Sequence, residues 1–515
     1  MAATIFHPGH LVMVDIPGTS LDADTAAFLR RQHIRAVCLF RRNLGSEDEI
    51  RALTAALREV MGPHALIGID QEGGSVVRCL SLPQAPAAMA LGAIDDEATA
   101  EAVGAAVARG LRHLGINWNF APVLDVNNNP ANPVIGERSF GDDPERVTRL
   151  ARAWMRGSAR EGVACCAKHF PGHGDTHVDS HHALPTVDKS LEQLEALELR
   201  PFRALAHGPD AAPSVMTAHI VYPQIDPAHP ATLSRPVLTG LLRERIGYQG
   251  VVITDALFMK AVHEKYGHAL SAVMAVQAGA DMPLAQGSQA EQAAAVRAID
   301  QALAGDDLLP EQVMAAQARL EALAARYPAE ARDYDPQQRL QDDALMHATW
   351  ARSLCAVPQG GSAAAVHPPA RDAALRVITQ ASVICDGVSE AGLPAEAVEA
   401  LFSGFADVEF VRVPDLGALT PAALPQDGRQ NVLVSNHRRR YPVHADGNGG
   451  GQALAPALHL ALWNPFQVAD VAAPAVVTWG YADGAMAALK AWLEGRAGAP
   501  GIAPVPLRPR VPQSS

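Results

Sequence analysis

The chain is poor in features that mark several classes of protein. It has six cysteines in 515 residues, and none of them forms a CxxC pair, which favours buried thiols in a reducing compartment over a disulfide framework. No uninterrupted apolar run is long enough to span a bilayer. The first residues, MAATIFHPGHLVMVD, lack the basic and apolar segments of a signal peptide. We therefore expect a cytoplasmic protein with no membrane partner.

Positive charge is also scarce. The chain has 42 Lys and Arg residues against 55 Asp and Glu residues, a formal net charge of −13. An acidic chain has no general attraction to phosphate backbones or anionic lipids, so we do not expect a nucleic-acid partner. The content of 48% hydrophobic and 19% charged residues is typical of a globular protein. The length fits one barrel and a smaller domain.

Short apolar runs recur through the first two-thirds of the chain and alternate with helical patterns. Their nearly continuous hydrophobicity is typical of parallel strands that are covered on both faces. The runs are Leu11–Asp15, Ala36–Phe40, Ala65–Asp70, Ile116–Ala121, Gly162–Lys168, Ser214–Ala218, Gly250–Asp255 and Ala280–Pro283. The predicted helices are Asp22–Arg31, Ser46–Met61, Asp95–Leu114, Pro144–Glu161, Leu191–Leu205, Arg235–Ile246 and Gln289–Leu303. Ser46 and Glu49 have the spacing of a capping box at the start of the second helix. Eight apolar runs with helical patterns between them predict a (β/α)8 TIM barrel over residues 1–326, with an open doubly wound α/β sheet as the alternative.

The pattern changes after Tyr327. Residues 327–350 are polar and contain proline, as expected of a linker or connecting helix, and residues 351–515 show a second α/β pattern. Its predicted strands are Leu375–Thr379, Val408–Val413, Asn431–Ser435, Leu458–Trp463 and Ala475–Trp479, with helices at Pro394–Phe402 and Ala482–Leu493. We expect a smaller open-sheet domain here.

Polar residues follow the apolar runs where strands of a barrel would end, which is where barrels concentrate function. These residues are Asp70, Asp125, Arg138, Lys168, His169, His219 and Asp255. Burying such groups costs free energy unless they have partners, so packing alone rarely places them there. Asp255 directly follows a buried strand, and a carboxylate held there can attack an anomeric carbon. The alternative is that Asp255 caps the following helix.

The segment from Lys168 to His182 contains five histidines: His169, His173, His177, His181 and His182. The four-residue spacing of the first four would suit a metal site only on a helix, which Pro171, Gly172 and Gly174 oppose. We therefore expect a loop and no metal or other cofactor. Asp179 and His181 instead have the spacing at which a carboxylate holds one imidazole nitrogen while the other faces a substrate. Most of these histidines are expected to be ordinary loop residues.

Several further side chains are candidates for binding sugar hydroxyls. Arg78, Arg138, Lys168 and His169 offer donors, and the carboxylate of Asp70 accepts strong hydrogen bonds. The alternative for each is a salt bridge at the mouth of the barrel. For Arg138 the neighbouring Glu137 and Asp142 are the obvious partners.

Seven motifs in order resemble glycoside hydrolase family 3, in particular its bacterial β-N-acetylglucosaminidases of cell-wall recycling. They are IGIDQEGGSVVR, NWNFAPVLDVNNNP, IGERSFGDDP, KHFPGHGDTHVDSHHALP, VMTAHIVYP, PATLS and GYQGVVITDALFMKAV. The resemblance implies Asp255 as the nucleophile and Asp179 with His181 as the acid/base pair. It also implies a second domain with an αβα sandwich fold and a sugar site formed by Asp70, Arg78, Arg138, Lys168, His169 and Met259. Phe258 and His177 depart from the family pattern.

The resemblance implies a retaining exo-β-N-acetylglucosaminidase that acts on a small saccharide, such as a GlcNAc–anhydro-muropeptide. Three alternatives remain open. A histidine base does not repel phosphate, so the enzyme is alternatively a β-N-acetylglucosaminide phosphorylase. The others are a metal-dependent hydrolase and a non-catalytic carbohydrate-binding protein.

Overall fold

The computed structural model describes residues 6–178, 184–359, 365–385, 389, 391–442, 444–445 and 451–508. Its first part is a closed barrel of eight parallel strands, which confirms the predicted TIM barrel and excludes the open sheet. The strands are β1 (Met13–Asp15), β2 (Ala36–Leu39), β3 (Leu66–Ile69), β4 (Trp118–Asn119), β5 (Ala164–Phe170), β6 (Ser214–Thr217), β7 (Val251–Ala256) and β8 (Met282–Leu284). Each lies within, or overlaps, one predicted run. Pairing of Met13 with Leu284 closes the barrel.

Helices surround this barrel. They are Ala23–Arg31, Glu47–Met61, Ala88–Ile94, Glu97–His113, Pro144–Arg160, Leu191–Ala196, Leu199–Ala204, Pro236–Arg245, Lys260–Ala278, Gln289–Ala304 and Pro310–Arg326. The helix at Glu47 begins with the predicted capping box, in which Ser46 N donates to Glu49 Oε2 (2.7 Å) and Glu49 N donates to Ser46 Oγ (3.3 Å). The predicted helix Leu191–Leu205 is instead two helices, because Leu197 has non-helical backbone angles. The segment Pro236–Arg245 forms a π-helix.

A second, six-stranded mixed sheet follows. Its strands are β9 (Cys355–Val357), β10 (Ala374–Gln380), β11 (Asp407–Val413), β12 (Gln430–Ser435), β13 (Leu458–Ala461) and β14 (Ala475–Val477), in the order β9-β14-β13-β12-β10-β11. All neighbours are parallel except β9 and β14. The five predicted strands are confirmed, and β9 is an addition. Helices Ala395–Ala400 and Asp483–Leu493 contribute to the core on one face, while short 3-10 turns and loops pack on the other.

Helix Pro336–Ser353 connects the two parts; it begins within the predicted linker and ends three residues beyond it. Its Trp350 is buried, and the indole N–H donates to the carbonyl of Gln84 in the barrel (3.1 Å). We propose that the chain divides into a barrel domain (1–326), this connecting segment (327–350) and a C-terminal domain (351–515).

Two sequence expectations concern the chain as a whole. The cysteines are free thiols, and five are buried as expected, whereas Cys385 is exposed. In the described ranges, no helix combines the length and the apolar character that crossing a bilayer requires.

Candidate active site

One cavity lies at the carboxyl ends of the barrel strands and gathers the candidates singled out from the sequence. The empty space within it, including the part that is open to solvent, is about 730 Å³. The sequence candidates that line it are Asp70, Arg78, Arg138, Lys168, His169, Asp255 and Met259. Glu72, Val134, His173 and Phe258 line it too, and Phe258 is 48% exposed.

Asp255 is half-buried near the end of β7. One carboxylate oxygen accepts a hydrogen bond from the backbone N–H of Ala256 (2.8 Å). The capping alternative is wrong, because the next helix begins at Lys260 and its N-cap residue is Met259. Asp255 therefore faces the cavity without serving the helix that follows.

His219 follows β6, and its place after a strand suggested that it would line the cavity, which it does not. It is fully buried. Its Nε2 lies 3.0 Å from the carbonyl oxygen of Ala256, and its Nδ1 lies 2.7 Å from Thr232 Oγ1. His219 thus supports the backbone beside Asp255.

Lys168 is the cationic centre of the cavity. Its ammonium group donates to Asp70 Oδ1 (2.8 Å) and lies 2.7 Å from Glu72 Oε1. Burial alone would lower the pKa of Lys168, but Asp70 and Glu72 raise it above its ordinary value. Arg78 approaches the other oxygen of Asp70 at 3.8 Å. The lysine is therefore held as a charged donor.

Arg138 makes a bidentate ion pair with Glu72, through Nε to Oε2 (2.9 Å) and Nη2 to Oε1 (2.8 Å). Burial alone would raise the pKa of Glu72, but Arg138 and Lys168 lower it well below its ordinary value. The expectation that Arg138 pairs with its neighbours Glu137 or Asp142 is wrong, because its ion pair is with Glu72. Glu137 accepts from Ser75 and Trp463 instead. Arg138 is in a salt bridge, yet it also lines the cavity.

Glu72 is the functional candidate that sequence reasoning missed. It lies two residues after Asp70, in the short strand Gln71–Gly73 that leaves β3. Side chains two residues apart in extended chain point to the same face. The alternation in IDQEGG therefore contained the signal that Asp70 and Glu72 act together.

Asp125 forms hydrogen bonds with both histidines that line the cavity, His169 and His173. It is fully buried, and its Oδ2 lies 2.7 Å from His169 Nδ1. Its Oδ1 accepts from the backbone N–H groups of His169 (3.2 Å) and His173 (2.6 Å). An ionised carboxylate only accepts, so the Nδ1 of His169 carries the proton. Burial, with His169 nearby, lowers the pKa of His173 to about 4, which favours its neutral form.

The histidine-containing loop is described as far as Val178. Residues 171–178 contain no helix, as the sequence predicts. Asp179 and His181, with His182, lie outside the described residues. Over the ranges that the structure does describe, no three His, Cys, Asp or Glu side chains are grouped so that they could hold a metal ion.

Comparisons with known proteins identify the family of the chain. The family model "Glycosyl hydrolase family 3 N terminal domain" matches residues 8–323. A β-hexosaminidase of Chromobacterium violaceum is 42% identical over 280 residues, which are 53% of this chain and 77% of that protein. The solved family 3 β-N-acetylglucosaminidase of a Paenibacillus species is 33% identical with a TM-score of 0.83, over 98% of this chain and 99% of the other.

A more distant structure, the β-glucoside phosphorylase BglX, has a TM-score of 0.76 at 22% identity, over 97% of this chain and 93% of that one. Likeness at that level shows the fold alone. The family match spans more than half of the chain and includes the entire cavity, and it confirms the resemblance drawn from the motifs. The chain belongs to glycoside hydrolase family 3, and it is a glycoside hydrolase.

Proposed function

We propose that the protein is a retaining exo-β-N-acetylglucosaminidase that acts on terminal β-linked N-acetylglucosamine. The observation that carries the proposal is the cavity itself, where the Asp255 carboxylate and the charged groups of Asp70, Lys168 and Arg138 face one space. The names of the similar proteins, β-hexosaminidase and β-N-acetylglucosaminidase, support the choice of sugar.

The proposed reaction has two displacements. In the first, Asp255 attacks the anomeric carbon while protonated His181 gives its proton to the departing oxygen, and a glycosyl ester forms. In the second, neutral His181 takes a proton from water, which attacks the same carbon and releases Asp255. An imidazole titrates near neutral pH, so a single group serves both steps. The roles of His181 and Asp179 rest on the family resemblance.

The described residues supply sugar binding. The ammonium of Lys168 and the guanidinium of Arg138 are fixed donors, and the Asp70 carboxylate is a fixed acceptor. Donors and acceptors fixed side by side suit the hydroxyl groups of a sugar, since each hydroxyl both donates and accepts. Arg78, His169 and Met259 complete the lining in this proposal.

The physiological substrate and compartment are a further part of the proposal. The resemblance to cell-wall recycling enzymes favours peptidoglycan-derived glycosides as substrates and a cytoplasmic location. Both rest on the sequence resemblance.

Turnover of an aryl β-N-acetylglucosaminide tests the proposal, with the product anomer followed by NMR. We expect release of β-N-acetylglucosamine at a rate that neither added phosphate nor a chelator changes. A sugar 1-phosphate formed when phosphate is added would establish the phosphorylase instead. Loss of activity in chelator would establish a metal-dependent hydrolase, and binding without turnover would establish a carbohydrate-binding protein.

A further inference from the structure

We propose that the C-terminal domain takes part in sugar binding through Trp463, a positioning residue that holds the cavity arginine Arg138 in place. The inference rests on the proposed function, because it assigns Arg138 to the sugar site. It gives the second domain a role in the reaction although none of its described residues lines the cavity.

The contact that carries the inference is made to Glu137, the residue before Arg138. The indole N–H of Trp463, which follows β13, donates to Glu137 Oε1 (2.9 Å). The hydroxyl of Ser75 donates to the same oxygen (2.6 Å). Glu137, Trp463 and Ser75 are each only 1% exposed. A buried carboxylate needs such donors, so loss of either one leaves it poorly satisfied.

Glu137 and Arg138 connect the same two segments of the barrel. Glu137 and Arg138 lie in the 3-10 turn Gly136–Arg138, while Ser75 and Glu72 belong to the hairpin formed by Gln71–Gly73 and Val76–Val77. Glu137 joins the turn to the hairpin through Ser75, and Arg138 joins them through the bidentate pair with Glu72. Trp463 is the donor from the second domain that completes the first link. A shift of Glu137 would therefore move Arg138 and Glu72 together.

Two more residues of the C-terminal domain hold the chain just before this turn. Arg438 donates through Nη2 to the carbonyl of Val134, which lines the cavity. Arg440 donates through Nη1 to the carbonyl of Pro130 (3.2 Å). Asn464 ties the two parts of the second domain together, since its side chain donates to the carbonyl of Arg438 (2.7 Å). The segment 130–138 is thus held at three points from outside the barrel.

Trp463→Phe tests the inference, because it removes the indole donor while keeping an aromatic ring. Trp479→Phe is the matched control, since Trp479 is equally buried in the same domain but its N–H donates to the carbonyl of Ser353 (2.7 Å), which does not line the cavity. A hydrogen bond to a charged group is lost, so we expect about a tenfold rise in KM and in the Ki of free N-acetylglucosamine for Trp463→Phe. We expect no change in either constant for Trp479→Phe.

A double-mutant cycle with Arg138→Lys separates positioning from general damage. If Trp463 acts through Arg138, adding Trp463→Phe to Arg138→Lys changes KM little. If the two losses multiply in full, the inference is overturned. Should Trp463→Phe fail to fold, Ser75→Ala cuts the same link from within the barrel and must give the same rise in KM.

Hydrogen exchange of the free protein gives a readout that needs no substrate. We expect faster amide exchange in residues 71–77 and 136–138 for Trp463→Phe, relative to both wild type and Trp479→Phe. Unchanged exchange in these segments would overturn the inference even in an active enzyme. Absence of wild-type turnover would instead overturn the proposed function, so the two failures are distinguishable.

Discussion

The mouth of the barrel and the sheet of the C-terminal domain both bury polar side chains. Those at the mouth are charged, whereas those in the second sheet are neutral. At the mouth, Lys168, Glu72 and Arg138 are charged and paired with one another. In the second sheet, Ser435 Oγ lies 2.7 Å from both His459 Nε2 and the hydroxyl of Tyr441. Burial lowers the pKa of His459 to about 3 and raises that of Tyr441, so this second group is neutral.

The difference shows which buried polar groups indicate function. A serine beside a histidine would suggest a nucleophile on geometry alone, yet Ser435 and His459 are fully buried. The charged group at the mouth lines an open cavity of about 730 Å³. Buried ion pairs often stabilise no better than apolar packing, so a charged cluster that faces a cavity is better explained by what it binds.

The largest expected effect comes from removing the carboxylate at the end of β7. Asp255→Asn should abolish turnover without lowering Tm, because it removes the attacking oxyanion but leaves the packing intact. The matched control is Asp281→Asn, just before β8, where the carboxylate is buried against Arg243 and Arg319. That change should lower Tm and leave kcat/KM of the folded enzyme unchanged. Activity in Asp255→Asn would remove the distinction between a functional and a structural carboxylate.

The next largest effect contrasts two histidines. His181→Ala should slow a substrate with a poor leaving group by ~10²–10⁴-fold, the usual contribution of general acid/base assistance. An activated aryl glycoside needs less protonation and should lose far less. His459→Ala should change neither rate, because the side chain of His459 is fully buried in the second sheet. Equal losses with both leaving groups for His181→Ala would contradict an acid role.

A third test compares the two polar groups directly. Glu72→Gln removes the charge that Arg138 and Lys168 share, and we expect KM to rise by roughly tenfold or more, since hydrogen bonds to charged groups contribute about 1.5–3 kcal/mol. Ser435→Ala should leave KM unchanged and lower the free energy of unfolding by about 1–3 kcal/mol. These outcomes are measured by steady-state kinetics and urea unfolding. A change in KM for Ser435→Ala would contradict the distinction between a binding group at the mouth and a structural group in the second sheet.

The last test concerns stability and not turnover, and it is a dependence of the free energy of unfolding on pH. His173 and His437 have pKa values lowered to about 4 and His459 to about 3, mainly by burial, so the folded form resists protonation that the unfolded chain accepts near pH 6.5. Stability is therefore complete above pH 6.5 and is lost as pH falls toward 4, by at most about 1.4 kcal/mol per pH unit for each histidine.

The pKa of the paired Glu72 carboxylate is also lowered, but from the ordinary pKa of a glutamate. Glu72 therefore adds no loss of stability until pH falls below that ordinary pKa. Urea unfolding at pH 7, 6 and 5 measures the loss, and His459→Asn should reduce it. A stability that is constant over this range would contradict the assignment of neutral buried histidines.

The sequence predicted the parts of the fold that depend on local patterns. The eight barrel strands and the capping box of Ser46 and Glu49 follow from hydrophobic runs and short spacings. Strand β9 was missed because its three residues show no pattern and it pairs antiparallel at the sheet edge. The broken helix at Leu197 was missed because its hydrophobic spacing continues across the break.

Seven of the residues that line the cavity were predicted from the sequence, but Glu72 and the pairings were not. Arg138 and Glu72 lie 66 residues apart, and Lys168 and Asp70 lie 98 apart. Only barrel closure brings these side chains together, so proximity in sequence wrongly favoured Glu137 as the partner of Arg138. The contact of Trp463 with Glu137 spans 326 residues and had no local signal at all.

Trapping the glycosyl-enzyme tests the central claim most directly. The enzyme is inactivated with a fluorinated N-acetylglucosaminyl fluoride, digested with a protease and examined by tandem mass spectrometry. The account predicts one sugar attached as an ester to Asp255, in the peptide that contains VVITDALFM. A sugar attached to any other side chain would contradict it.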